Sequence, residues 1–288
     1  MTRAEPTARE MEIPAPDGLH LHARHWTVPK PGGVVVVAHG FGEHAGCYDH
    51  VARALAADAR IDVLVPDLRG HGTSPGRRGV VGRYEELTGD LLAAFDLAGR
   101  EYPGLPRFVL GHSNGGQLAL RAALDPRVGP EIAGLIVSNP SLKLAARVPG
   151  WKLALGRFLL RRAPGVTLSA NLRPEQLTRD PLMQQHRRDD RLVHGRISPP
   201  LYFGMVDGGL LIARRAEAIH QPILMILGGA DPVVDPETSR VVFERLGSID
   251  KTLLLFPAMR HEPFHELGRE KVLADVAAWL DHRLGAEP

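Results

Sequence analysis

The sequence predicts an α/β protein whose core is a parallel sheet covered by helices. Two observations support this. Short apolar runs without polar–apolar alternation are typical of strands buried on both faces, and helix-period segments lie between several of them. The six runs cover residues 34–38, 63–65, 108–110, 134–137, 223–227 and 252–256. A chain of 288 residues is also long enough to bury a large core.

Two further patterns complete the assignment of elements. Pro16-Asp17-Gly18 separates strand-like segments at 11–13 and 19–26, which predicts an antiparallel hairpin near the start of the chain. Apolar residues at helical spacing, or Ala- and Leu-rich stretches, predict helices over 51–57, 85–100, 116–124, 237–246 and 267–284.

One region interrupts this alternation. Residues 139–221 contain no convincing buried strand, and the prolines at positions 149, 164, 174, 181, 199 and 200 separate their apolar clusters. A structureless connection of about 80 residues is too long for a compact domain, so we expect a helical insertion that acts as a lid. The predicted organisation is a first core segment (1–138), a helical cap (139–221) and a second core segment (222–288).

Composition excludes several classes of protein. A single cysteine, Cys47, allows neither an intrachain disulfide nor a Cys-based zinc site. The net charge of +2, from 35 basic and 33 acidic residues, gives no general attraction to nucleic acid. No stretch of 18 apolar residues is present, and the polar N-terminus lacks the pattern of a secretory signal. We therefore expect a cytoplasmic protein without a transmembrane segment.

The main chemical signal is Gly111-His112-Ser113-Asn114-Gly115. It follows the apolar run 108–110 and precedes the predicted helix 116–124. A serine on such a sharp strand-to-helix turn has strained backbone geometry, so its neighbours must be small, as Gly111 and Gly115 are. The turn exposes the hydroxyl at the carboxyl edge of the sheet, which makes Ser113 the candidate nucleophile.

A serine nucleophile needs a base, usually a histidine oriented by a carboxylate. Asp231 follows the run 223–227 in a Gly-rich turn, and His261 occupies the loop after the run 252–256. Because the carboxyl ends of parallel strands meet at one edge, these residues can reach Ser113. Asp235, and Asp207 within the insertion, are alternative acids.

His265 and His282 are alternative bases, although we expect His282 to be exposed on the last helix. We favour Asp231 and His261 because each leaves a predicted strand directly.

Two loops after other strands add polar residues. The first loop, residues 39–44, follows the run 34–38, and its small residues let the backbone approach a ligand closely. The N–H of Phe41 in this loop is therefore a candidate donor to the oxyanion. The second candidate donor is the N–H of Asn114, the residue after the nucleophile. Metal binding by His39 and His44 is the competing interpretation, but no acidic or Cys cluster supports it. In the second loop, we expect Asp67, Arg69 and His71 to form a structural polar network.

Taken together, these residues resemble the monoacylglycerol lipase and lysophospholipase branch of the α/β-hydrolase superfamily, also described as serine aminopeptidase S33-like hydrolases. The resemblance implies an eight-stranded, mostly parallel sheet with a helical cap between strands six and seven. It also implies Ser113 as nucleophile, Asp231 as acid and His261 as base, without cofactor or metal. Four segments carry it: 39–44, 67–72, 111–116, and 231–234 with 261–262.

The chain departs from the family pattern at three positions. Asn114 replaces the usual Met after the nucleophile, and we expect its side chain to add a polar group near the pocket. Ala45 and Cys47 replace a Ser and an Arg that commonly precede the Tyr found here as Tyr48. Glu43 remains as the polar candidate for contacting the substrate headgroup.

The function that we predict is hydrolysis of single-chain lipid esters such as monoacylglycerols, through an acyl-enzyme. The alternatives are a lysophospholipase, a small-ester carboxylesterase or an aminopeptidase, and a non-catalytic binding protein with the same fold. Six arginines of the insertion are candidates for transient contact with an anionic lipid surface: Arg157, Arg161, Arg162, Arg187, Arg188 and Arg191.

Overall fold

An eight-stranded sheet forms the centre of the computed structural model, which describes residues 6–285. Its order along the sheet is β1-β2-β4-β3-β5-β6-β9-β10, with β1 and β2 antiparallel and the other strands parallel to one another. All six apolar runs lie within strands of this sheet, and the predicted hairpin is β1–β2. The strands are β1 (Thr7–Pro14), β2 (His20–Thr27), β3 (Val34–Ala38), β4 (Asp62–Pro66), β5 (Arg107–His112), β6 (Ile132–Ser138), β9 (Ile223–Gly228) and β10 (Lys251–Phe256).

Helices cover both faces of the sheet. On one face α1 and α9 pack together over a core that includes Trp26 and Phe108. On the other face α2, α3 and α8 cover a second core that includes Phe95 and Leu135. These five helices are α1 (Asp49–Ala59), α2 (Glu85–Glu101), α3 (Asn114–Ala123), α8 (Pro236–Arg245) and α9 (Arg269–Leu284). The predicted α/β class and the mostly parallel sheet are confirmed.

The insertion lies between β6 and β9, the sixth and seventh strands of the sheet, and is mainly helical. Its only strands among the described residues form a two-residue ladder, β7 with β8, at the surface. Leu201 and Ile212 of α7 join the core beside α3, so the division into core and cap stays a prediction. The elements are α4 (Gly150–Arg162), β7 (Leu168–Ser169), α5 (Pro174–Leu177), α6 (Pro181–Asp189), β8 (Arg196–Ile197) and α7 (Pro199–Arg215).

Strand β10 corrects one detail of the sequence interpretation. Its apolar run indicated a strand buried on both faces, but β10 lies at the edge of the sheet and, within residues 6–285, pairs only with β9. Its side chains are partly exposed, and Leu255 is 53% exposed. An apolar run reports local hydrophobicity, not the position of a strand in the sheet, so sequence alone could not place this edge.

No helix within residues 6–285 is both long and apolar enough to cross a membrane.

Candidate active site

The turn that carries Ser113 joins β5 directly to α3. Ser113 has φ 53° and ψ −116°, a conformation that L-residues rarely adopt. The flanking glycines permit it, because a Cβ on Gly111 would lie 2.3 Å from the carbonyl oxygen of Gly115. A Cβ on Gly115 would lie 1.9 Å from the carbonyl oxygen of Ala38, at the end of β3. The strained turn with small neighbours is therefore present as predicted.

The structure brings Ser113, His261 and Asp231 together at the carboxyl edge of the sheet. His261 Nε2 lies 2.8 Å from Ser113 Oγ, and His261 Nδ1 lies 2.7 Å from Asp231 Oδ2. Asp231 Oδ1 also accepts hydrogen bonds from the N–H groups of Val233 and Val234. With the Nδ1 proton donated to Asp231, Nε2 is left to accept the proton of the serine hydroxyl.

Electrostatics favour a basic imidazole at this position. Burial alone would lower the pKa of His261, but the neighbouring Asp231 carboxylate raises it above its usual range. The ring of His112 stands 5.0 Å from that of His261, and burial lowers the pKa of His112 to about 3. His112 is therefore neutral near pH 7 and does not compete for the proton.

Two backbone N–H groups, those of Phe41 and Asn114, are the predicted donors to an oxyanion at Ser113. Among the described residues neither the N–H of Phe41 nor that of Asn114 has a hydrogen-bond acceptor. Phe41 lines the same cavity as Ser113. The loop is shaped by Glu43, whose Oε2 accepts a hydrogen bond from the N–H of Gly40 at 2.7 Å. These two N–H groups are thus available to an oxyanion formed at Ser113.

The alternative residues lie elsewhere. His265 bonds the carbonyl of Cys47, and His282 is exposed on α9, as expected. Asp235 caps α8 and pairs with Lys143, while Asp207 is exposed on α7.

The two candidate metal ligands have separate partners. His39 accepts a hydrogen bond from the N–H of Leu68, and His44 pairs with Asp190 at 2.7 Å. His44, Asp190 and Cys47 do bring ligand atoms within 4.8 Å of one another, but His39 is not among them.

The predicted polar network after β4 is confirmed. Asp67 accepts hydrogen bonds from the N–H groups of Ala45 and Thr73, so it ties this loop to the loop of Phe41. Arg69 forms an ion pair with the fully buried Asp90, and His71 bonds the carbonyl of Arg69.

A cavity of about 580 Å³ opens above Ser113 between the core and the insertion. Near His261 its wall is polar, with Glu43, Arg187 and Glu262. The rest of the wall is mainly apolar and comes largely from the insertion, with Leu153, Leu172, Phe203, Val206 and Leu210. A mainly apolar cavity that also contains this group of polar residues suits an amphiphilic ligand.

The structure corrects two expectations about this wall. The Asn114 side chain accepts a hydrogen bond from Tyr84 at 2.6 Å and does not line the cavity. Arg187, expected at a lipid surface, is instead largely buried between Glu43 and Glu262. Glu43 lines the cavity, but its Oε2 is already held by Gly40 and Tyr48, and its contact with a headgroup stays a prediction.

Two carboxyl groups and an imidazole converge beside Arg187. Ligand atoms of Glu43, Glu262 and His265 lie within 4.8 Å of one another. Arg187 Nη1 stands 3.0 Å from Glu262 Oε1 and 3.5 Å from Glu43 Oε1, so a guanidinium already supplies the positive charge there.

Sequence reasoning missed Asn139, which holds the loops of the acid and the base together. Its Nδ2 donates to the carbonyls of Arg260 and His261, and its Oδ1 accepts from the N–H of Gly228. Asn139 is buried at the end of β6 with φ 38°. The dipeptide Asn-Pro directly after an apolar run was the available signal, since Asn tolerates this left-handed conformation.

A family model described as "Serine aminopeptidase, S33" matches residues 29–268. The chain belongs to this family. A monoacylglycerol lipase from Mycolicibacterium smegmatis is 32% identical to this S33 member over 276 residues, covering 95% of this chain and 97% of the relative. Monoglyceride lipase of Rattus norvegicus is 30% identical over 283 residues, covering 93% and 89%.

The solved structures agree with the S33 assignment. The crystal structure of a monoacylglycerol lipase from Paleococcus ferrophilus superimposes with a TM-score of 0.82 at 34% identity, covering 91% of this chain and 99% of that one. The S33 member described here therefore has the α/β-hydrolase fold.

Proposed function

We propose that the protein is a carboxylic ester hydrolase that cleaves single-chain lipid esters, such as monoacylglycerols, through an acyl-enzyme. The observation that carries the proposal is the 2.8 Å contact between Ser113 Oγ and His261 Nε2 at the floor of a largely apolar cavity. The names of the similar lipases support the substrate class.

The proposed mechanism assigns one role to each group. Ser113 Oγ attacks the ester carbonyl while His261 Nε2 accepts its proton, and Asp231 stabilises the imidazolium that forms. The oxyanion accepts hydrogen bonds from the N–H groups of Phe41 and Asn114. His261 then protonates the leaving alcohol, and a water molecule activated by the same ring hydrolyses the acyl-enzyme.

The apolar part of the cavity would hold the acyl chain. Each buried CH₂ contributes about 0.8 kcal/mol of transfer free energy, so a longer chain gains affinity as long as the wall continues. A small-ester carboxylesterase would gain little from such a wall. The complete Ser–His–Asp arrangement equally disfavours a non-catalytic binding protein.

A substrate panel tests the proposal. Purified protein would be assayed with nitrophenyl esters of two to sixteen carbons and with monoacylglycerols and lysophosphatidylcholine of matched chains. We expect activity to rise from the acetate to medium chains, to include monoacylglycerols, and to vanish in Ser113→Ala. A maximum at acetate with no lipid turnover would favour the carboxylesterase, and lysophosphatidylcholine turnover alone would favour the lysophospholipase.

Transient contact of the insertion with lipid belongs to the same proposal. Helix α4 exposes Trp151 and Phe158, which are 66% and 60% exposed. The helix also carries four basic side chains and no acidic one, which complements an anionic surface: Lys152, Arg157, Arg161 and Arg162.

Sedimentation with phosphatidylglycerol and phosphatidylcholine vesicles tests this contact. We expect binding to the anionic vesicles that is lost when Trp151 and Phe158 are both changed to Ser. The control is Ile249→Ser, at a fully exposed apolar residue outside the insertion. Equal binding by the double variant would contradict the contact. The expected cytoplasmic location stays a prediction.

A further inference from the structure

The polar end of the cavity contains a buried cation supplied by the insertion. Arg187 belongs to α6, yet its side chain is only 14% exposed and lies between two carboxyl groups of the core, Glu43 and Glu262. Arg187 lines the same cavity as His261, the group that must protonate the leaving alcohol. The alcohol moiety of a bound ester would therefore lie in a cavity whose wall includes this guanidinium.

Helix α6 is fixed to the core at both ends. At its start Asp180 caps the helix and pairs with Arg269 of α9 at 2.7 Å. Just after its end Asp190 pairs with His44 of the core, also at 2.7 Å. Arg187 is thus held in place, which distinguishes it from a surface side chain that only happens to point inwards.

The guanidinium retains donors that are not used by the described residues. Nη1 makes both contacts with Glu43 and Glu262. Among the described residues no acceptor bonds Nε or Nη2 of Arg187, and the residue lines the cavity. Guanidinium N–H groups without a protein acceptor can bind hydroxyl oxygens of a ligand.

The charges at this end of the cavity balance. Burial opposes ionisation of Glu43, but the Arg187 guanidinium and the hydrogen bond from Tyr48 help to hold its pKa below its usual range. Burial raises the pKa of Glu262 to about 8. Near pH 7 the cluster therefore contains one carboxylate, one guanidinium and one neutral carboxylic acid. The buried guanidinium would repel a cationic headgroup, and the Glu43 carboxylate would repel an anionic one. An uncharged hydroxylated headgroup would instead find both hydrogen-bond donors and an acceptor.

We propose that Arg187 is a specificity-determining residue that binds the alcohol moiety of the ester and selects small uncharged polyol headgroups, such as glycerol. This inference rests on the proposed function.

Kinetics on three esters of one acyl chain test the inference. The substrates are glycerol monododecanoate, dodecanoyl lysophosphatidylcholine and nitrophenyl dodecanoate, which has no polyol. For Arg187→Gln we expect kcat/KM on the glycerol ester to fall about tenfold or more, with the nitrophenyl ester changed less than about threefold. The control is Arg188→Gln, at the next position, where the side chain is 43% exposed and pairs with Glu175. It should leave all rates unchanged.

A structural role for Arg187 would give a different result. If Arg187→Gln lowers activity on the glycerol and nitrophenyl esters equally, or on neither, the inference is refuted while the proposed function stands. If the wild type hydrolyses none of the three, the proposed function fails instead. Should Arg187→Gln not fold, Arg187→Lys decides, because it keeps the charge between the carboxyl groups but loses the guanidinium fork. A folded Arg187→Lys with the full preference for glycerol would overturn the inference.

Discussion

Glu262→Gln should stabilise the protein, and increasingly so as the pH rises. Burial raises the pKa of Glu262 from an ordinary 4.5 to about 8, and the charge of Glu43 adds to the effect. The amide of glutamine resembles the neutral carboxyl group in shape and can still accept a hydrogen bond from Arg187. The substitution therefore removes the titratable proton of Glu262 without leaving a cavity in the structure.

The direction in which the free energy of unfolding changes with pH follows from the protons bound by the folded and unfolded states. Between about pH 4.5 and 8 the folded protein keeps a proton on Glu262 that the unfolded chain has lost. Glu262 therefore contributes a decrease of about 1.4 kcal/mol per pH unit to the free energy of unfolding in this window, because the folded state keeps one more proton at this residue. The pKa of Glu43 is lowered, so it is ionised in both states throughout the window and contributes no slope.

Urea unfolding followed by tryptophan fluorescence at pH 5, 6, 7, 8 and 9 measures the effect. We expect the variant and the wild type to be nearly equal at pH 5 and the variant to gain until about pH 8, beyond which the difference is constant. Glu270→Gln, at an exposed residue of α9, is the control and should show no such trend. A pH-independent difference for Glu262→Gln would refute the assignment of a neutral, buried carboxylic acid.

Four other substitutions test the site and its support. Asp231→Asn should lower kcat by about 10³- to 10⁴-fold at unchanged stability, measured with a medium-chain nitrophenyl ester, because the imidazole loses its charged partner. Gly115→Ala should destabilise the fold by about 3 kcal/mol, since its Cβ would lie 1.9 Å from the Ala38 carbonyl oxygen. Gly89→Ala, in α2 with open space around it, should instead stabilise by about 0.5–1 kcal/mol, and similar effects of the two in urea unfolding would contradict the packing argument. Asn139→Ala should cost about 2 kcal/mol of stability and slow turnover, because it leaves buried backbone groups without partners; unchanged melting and turnover would argue against that role.

The sheet and the three converging side chains could be predicted because both depend on local patterns. Ser113, Asp231 and His261 each follow an apolar run, and parallel strands present their carboxyl ends at one edge of the sheet. Once the runs are recognised as parallel strands, residues far apart in sequence must meet there. The same reasoning could not identify β10 as the edge strand, because an apolar run carries no information about neighbouring strands.

The burial of Arg187 at the polar end of the cavity could not be predicted in this way. Around Arg187 the sequence reads Gln-Gln-His-Arg-Arg-Asp-Asp, a uniformly polar stretch with no apolar stripe to show which side of α6 faces inwards. Arg187 and Arg188 are adjacent and chemically identical, yet one lies between Glu43 and Glu262 and the other is near the surface. Only the anchoring of the insertion on the core decides between them, and that depends on contacts distant in sequence.

Covalent labelling measures the central claim most directly. The protein would be incubated with a fluorophosphonate, and its intact mass and labelled peptide determined, for the wild type, Ser113→Ala and His261→Ala. We predict a single adduct on Ser113 in the wild type, none in Ser113→Ala and strongly slowed labelling in His261→Ala. An adduct on another residue, or equal labelling of wild type and Ser113→Ala, would contradict the assignment of Ser113 as the nucleophile.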